Sequence, residues 1–92
     1  MIGDDKYATR LDLIEWKNPP TEGKPYPHLY HTGINRIALW TDDLQEIYDK
    51  LKATGVKFIS EPQRMKNPNG TTSSFVCFYD PDGTVIELIQ FK

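Results

Sequence analysis

Glu87 and Asp12 are acids set inside apolar runs, Ile86-Glu87-Leu88-Ile89 and Leu11-Asp12-Leu13-Ile14, where a carboxylate is costly unless it is paired or put to use. Arg36 occupies a third such run, Asn35-Arg36-Ile37-Ala38-Leu39. A guanidinium there can neutralise an acid on an adjacent strand, or hold a carboxylate or phosphate of a ligand in a bidentate grip. For Glu87, and equally for Asp12, the choice lies between a structural pair with Arg36 and a charged group kept for chemistry such as proton transfer. His28 and His31 have ligand chemistry, but they fall in a proline-rich stretch with no register to aim them together, so exposed surface histidines are expected. Cys77 stands beside Phe75, Val76, Phe78 and Tyr79 with no helix N-terminus or basic residue near it in sequence, and reads as a small buried thiol rather than a nucleophile. Trp40, Phe75 and Tyr79 would line an apolar pocket or simply fill core.

These residues need elements to position them. Ile34 to Thr41 alternates, with Ile37 and Leu39 on one face and Arg36, Ala38 and Trp40 on the other, which predicts a strand. A helix is expected over residues 42–54. Asp42 and Asp43 are N-caps with Gln45 and Glu46 three residues beyond each, Leu44, Ile47, Tyr48 and Leu51 form one apolar stripe, and Gly55 ends it. Val56 to Ile59 predicts a short strand, and residues 60–73, with two prolines and Asn69-Gly70, a long polar loop that could act as a lid. Ser74 to Tyr79 and Thr84 to Phe91 are the clearest strands, joined as an antiparallel hairpin by Asp80-Pro81-Asp82-Gly83. Upstream, Thr9 to Trp16 suits a strand, and residues 17–33 read as an irregular proline-rich linker.

At 92 residues the chain is one domain, near the low end of self-sufficient size, so a partner chain is plausible from size alone. A net charge of −2 with 26% charged residues gives no basic footprint, which argues against nucleic acid and anionic membrane. No stretch approaches the roughly 18 to 20 apolar residues of a membrane span, and the N-terminus lacks the pattern of a signal peptide. The single cysteine excludes an internal disulfide and fits a reducing cytoplasm.

Thr9 to Trp16 and Thr84 to Phe91 match at a constant offset of 75 residues, acid on acid at Asp12 and Glu87 and aromatic on aromatic at Trp16 and Phe91. Eight positions are few, so chance similarity between two amphipathic strands stays open beside a true repeat. A true repeat would make the chain the last strand of one module followed by a whole second module.

Three stretches, Gly33 to Leu44, Leu51 to Phe58, and Phe78-Tyr79-Asp80-Pro81-Asp82-Gly83-Thr84-Val85-Ile86-Glu87-Leu88, resemble in order the repeating module of the vicinal-oxygen-chelate superfamily, which includes glyoxalase I, the bleomycin-resistance proteins and the extradiol dioxygenases. The resemblance implies an α+β fold: a βαβββ module of residues 33–92 with a mixed four-stranded sheet and one main helix, half of an open barrel, preceded in residues 1–32 by an extra N-terminal strand at about 9–16 and the linker. It also implies a histidine ligand on the first strand of a module and a glutamate on the last. Glu87 stands at the glutamate position, as metal ligand and catalytic base, and Asp12 at its equivalent in a preceding module. Arg36 stands where the histidine is expected, and a guanidinium has no lone pair to give a metal. A divalent ion (Zn, Ni, Fe or Mn) is the cofactor the resemblance implies, and Arg36 argues against it.

Three function classes follow. The first is a metal-dependent lyase, isomerase or dioxygenase module in which a carboxylate moves the proton. The second is a metal-free module that binds or sequesters a small molecule, with Arg36, Trp40, Phe75 and Tyr79 as its contacts. The third is a degenerate structural module. The enzyme-related reading stands narrowly first. One sheet face, with Arg36, Ala38, Trp40, Val85, Glu87 and Ile89, would stay open in a monomer, so a two-fold homodimer with the ligand pocket at its interface is expected.

Overall fold

The structure is a computed structural model and describes residues 8–25 and 27–91; the first seven residues of the expected N-terminal region lie outside it. Its elements run β1 (Arg36–Trp40), α1 (Leu44–Ala53), β2 (Gln63–Lys66), β3 (Thr72–Tyr79) and β4 (Val85–Phe91). They form one mixed four-stranded sheet in the order β1-β4-β3-β2, in which β1 runs parallel to β4 and the other neighbours are antiparallel. This is the expected α+β module. The crossover through α1 is what a parallel β1–β4 pair requires.

The helix forms where the apolar stripe and the caps dictate. Asp43 is its N-cap, its carboxylate accepting from the Glu46 N–H at 3.1 Å. The reciprocal half of the expected capping box is absent. The Glu46 carboxylate instead meets Lys50 at 3.0 Å one turn on, a charge-assisted partner. The side-chain oxygen of Gln90 on β4 accepts from the Leu44 N–H at 2.7 Å, tying the helix start to the sheet. At the other end Gly55 adopts φ +94°, and the N–H of Val56 reaches back to the carbonyl of Leu51, closing the helix as a left-handed residue allows.

Leu44 and Tyr48 pack on Val76 and Leu88 to make the buried core, with Leu39, Ile47, Leu51, Phe58 and Phe78 around it. Tyr48, Phe58 and Phe78 pack in series as tilted rings, with centroids 4.6 and 5.4 Å apart. All of this lies on one side of the sheet.

Two expectations are corrected. Val56 to Ile59 contributes only a single bridge, Phe58 to Phe78, with the Ile59 N–H donating to Cys77 and the Tyr79 N–H to Lys57. The regular pairing with β3 is made instead by Gln63–Lys66, inside the stretch expected to be a loop. Between Phe58 and Gln63 the edge carries four residues where β3 has two, so the chain bulges around Pro62 and then resumes. The strand expected at residues 9–16 forms no ladder in this chain, and Leu13, Ile14 and Trp16 are exposed. An alternating segment becomes a strand only when it docks on an edge, and no described segment pairs with the outer edges of β1 and β2. The linker returns as far as the β3–β4 turn, where Pro25 lies against Gly83.

Candidate functional site

The ladder registers define the side of the sheet that α1 leaves uncovered. Across β1, β4 and β3 its residues fall in three rows: Arg36-Val85-Tyr79, Ala38-Glu87-Cys77 and Trp40-Ile89-Phe75. Glu87 is at the centre. Arg36, Trp40, Phe75 and Tyr79, the expected ligand contacts, are therefore brought onto one face around it, because side chains two residues apart on a strand share a side.

The face is closed in the middle and open at the rim. Val85, Cys77 and Glu87 are buried even in the single chain, whereas Trp40 and Tyr79 are exposed. The expectation of a face left wholly to water is corrected accordingly.

Arg36 and Glu87 pair. The Arg36 Nη1 lies 3.2 Å from the Glu87 Oε1, with the acid side chain 11% exposed and the arginine 48%. Glu87 faces Ala38 directly, so Arg36 reaches it along a diagonal of the parallel ladder. Cys77, directly opposite Glu87 on the other side, completes the group. Burial pushes its thiol pKa up, and the Glu87 charge adds to this; the nearby Arg36 guanidinium pulls the other way. A basic group that is remote in sequence is thus next to Cys77 in space, yet the balance still favours the neutral thiol.

Asp12 is exposed in a segment outside the sheet. His28 and His31 were expected to lie unaimed on the surface. His28 is exposed and His31 partly so, but their rings meet at 5.5 Å, in a cluster with Tyr30, which stacks on His28 at 5.0 Å. The local signal for this was the His28-Leu29-Tyr30-His31 sequence itself. The turn is held by the Asn35 side-chain amide, which donates to the carbonyls of Leu29 and His31. A concavity of about 400 Å³ between the end of α1 and the β3–β4 turn, lined by Thr54 to Lys57 and Tyr79 to Pro81, lies apart from the Arg36–Glu87 pair. Its one acid, Asp80, is committed to the turn, its Oδ1 accepting from the N–H groups of Asp82 and Thr84.

The match to known proteins agrees with this architecture. Residues 2–88 fit the model of the Glyoxalase/Bleomycin resistance protein/Dioxygenase superfamily. The chain belongs to that superfamily. It is 44% identical over 59 residues to a probable lactoylglutathione lyase of Synechocystis sp., a match covering 63% of this chain and 42% of that protein. It is 28% identical over 87 residues to the uncharacterized protein YurT of Bacillus subtilis, covering 95% of this chain and 64% of that one. The chain thus spans less than two thirds of the length of these curated relatives. A glyoxalase family protein of Bacillus cereus superposes with a TM-score of 0.62 at 17% identity, over 80% of this chain and 48% of that structure, which is a likeness of fold.

Members of the superfamily commonly bind divalent metals. The donors on this face do not suit one. Glu87 is engaged by a guanidinium, its cross-strand neighbour Cys77 is held as a neutral thiol, and no three of His, Cys, Asp and Glu come together among the described residues. No helix among the described residues is long and apolar enough to cross a membrane.

Proposed function

We propose that this chain supplies one half of a small-molecule binding site of the superfamily, used without a divalent metal on Glu87. The Arg36–Glu87 contact at 3.2 Å carries this reading. A metal-binding carboxylate must offer its lone pairs to the ion, and here one of its oxygens is offered to a guanidinium that cannot itself coordinate and that repels a cation. Trp40, Phe75 and Tyr79 supply apolar walls, as small-molecule sites generally need, and the exposed part of Arg36 supplies the polar contact that orients a ligand. Trp40, Phe91, Met65 and Tyr79, all on this face, are each 45% exposed or more, and a second copy of the chain is the natural cover. We therefore read the working unit as a cytoplasmic homodimer with the ligand between its two sheets.

One observation favours a second reading, a lyase, isomerase or dioxygenase module in which Glu87 moves a proton: the 44% identity to a probable lactoylglutathione lyase. Metal analysis and thermal melting of the purified chain separate the two. The binding reading expects no stoichiometric metal and a melting temperature raised by small aromatic ligands. Stoichiometric zinc, nickel, iron or manganese together with turnover of a 1,2-dioxygenated substrate would replace it with the enzymatic one. Sedimentation that finds a stable monomer at micromolar concentration would remove the dimer.

A further inference from the structure

The charge balance of the uncovered face points to the kind of ligand it takes. Among the strand residues on that face Arg36 and Glu87 are the charged ones, and they sit 3.2 Å apart, so their charges sum to zero. We infer that the ligand is a neutral, flat aromatic molecule bearing a hydrogen-bond-accepting oxygen, rather than an anion or a cation. This rests on the small-molecule reading of the same site.

Three features carry the inference. Glu87 uses one nitrogen of a guanidinium that has five N–H donors, and almost half of the arginine side chain is exposed. The donors turned to neither Glu87 nor Cys77 are available to an oxygen acceptor on a ligand. An anion placed there would bring a second negative charge close to the carboxylate of Glu87, in a place where Glu87 is buried and screening is weak. A cation would meet the guanidinium. A neutral acceptor meets neither penalty.

The shape agrees. Two strand spacings and two pleat repeats give the three-by-three lattice a footprint of roughly 10 by 13 Å, the size of a two-ring aromatic system. Trp40 and Phe75 close one end, while Arg36 and Tyr79 flank the other. A flat ring system can lie across Ile89 and Glu87 with its edge on an aromatic and its oxygen at Arg36.

Matched probes test this. 2-Naphthamide, 2-naphthoate and 2-naphthylmethylammonium share a ring system and differ in charge. Titration calorimetry on the native protein, with amide NMR shifts at residues 36–40 and 85–89 to locate binding, should place naphthamide at least tenfold tighter than either ion. Glu87→Gln leaves the guanidinium charge unbalanced and should turn the order toward naphthoate. A native protein that binds naphthoate or the ammonium as well as the amide overturns the inference, whether or not the variant folds. Binding of none of the three overturns the small-molecule reading beneath it.

Discussion

Replacing Arg36 by methionine keeps the length and apolar stem of the side chain and removes its charge, which leaves the carboxylate of Glu87 without a partner. The cost follows from burial. Exposed ion pairs contribute about 0 to 1 kcal/mol, and breaking a fully buried pair costs about 3 to 5 kcal/mol. With Glu87 11% exposed and Arg36 48%, the present pair lies between, and Arg36→Met should lose about 2 kcal/mol. For a domain of this size that is a drop in Tm of roughly 8 to 16 °C. Glu87→Gln should cost about 1 kcal/mol or less, because the charge it strands is half in water. The double variant should then be more stable than Arg36→Met alone, since a neutral amide has replaced the stranded carboxylate. Urea unfolding of the four proteins at pH 7, followed by circular dichroism, gives the coupling directly. A coupling below about 0.3 kcal/mol, or equal losses in the two single variants, would refute the argument that Glu87 depends on Arg36.

Arg36→His restores a donor beside Glu87 and Cys77 and should create zinc or nickel binding that the native protein lacks, measured by metal content after dialysis; no gain would count against placing residue 36 at a ligand position. Asp80→Ala removes the acceptor of two N–H groups in the β3–β4 turn and should cost about 1 to 2 kcal/mol in urea unfolding, without affecting ligand binding at Arg36. The Cys77 thiol, whose pKa is raised by burial, should react with a disulfide reagent at pH 8 far more slowly than a free thiol. Because the fold favours the neutral thiol, its stabilising contribution is full below the ordinary free-thiol value and is lost as pH rises through the higher folded value, a decline that Cys77→Ala should abolish.

Where an element owes its existence to a repeating apolar pattern, the chain announces it. The stripe of Leu44, Ile47, Tyr48 and Leu51, the alternation through Ile37 and Leu39, and the Asp80 to Gly83 turn each state a structure that the chain adopts. β2 announces nothing, because Gln63-Arg64-Met65-Lys66 is an exposed edge whose four residues bury no apolar face, and backbone pairing alone makes it a strand. Residues 9–16 fail in the opposite sense: the alternation is there, but the segment joins neither outer edge of the sheet and leaves Leu13, Ile14 and Trp16 exposed. In the site, the grouping of Arg36 with Glu87 follows from strand alternation once β1 and β4 are neighbours. Cys77 joins them through the register of β3 against β4, which fixes Cys77 opposite Glu87 and which no local pattern encodes.

The interrupted strand at the far side of the sheet bears on how copies of this chain can meet. Among the described residues no strand pairs with the outer side of β1 or of β2, but the two sides are not equally open to a further strand. The β2 side is broken by the bulge at Pro62 and carries Arg64 and Lys66, so an incoming strand would lose register and meet positive charge. The β1 side has neither obstacle along Ile37 to Trp40. A further strand would therefore meet less hindrance along β1 than along β2, where both the break in register and the positive charge oppose it.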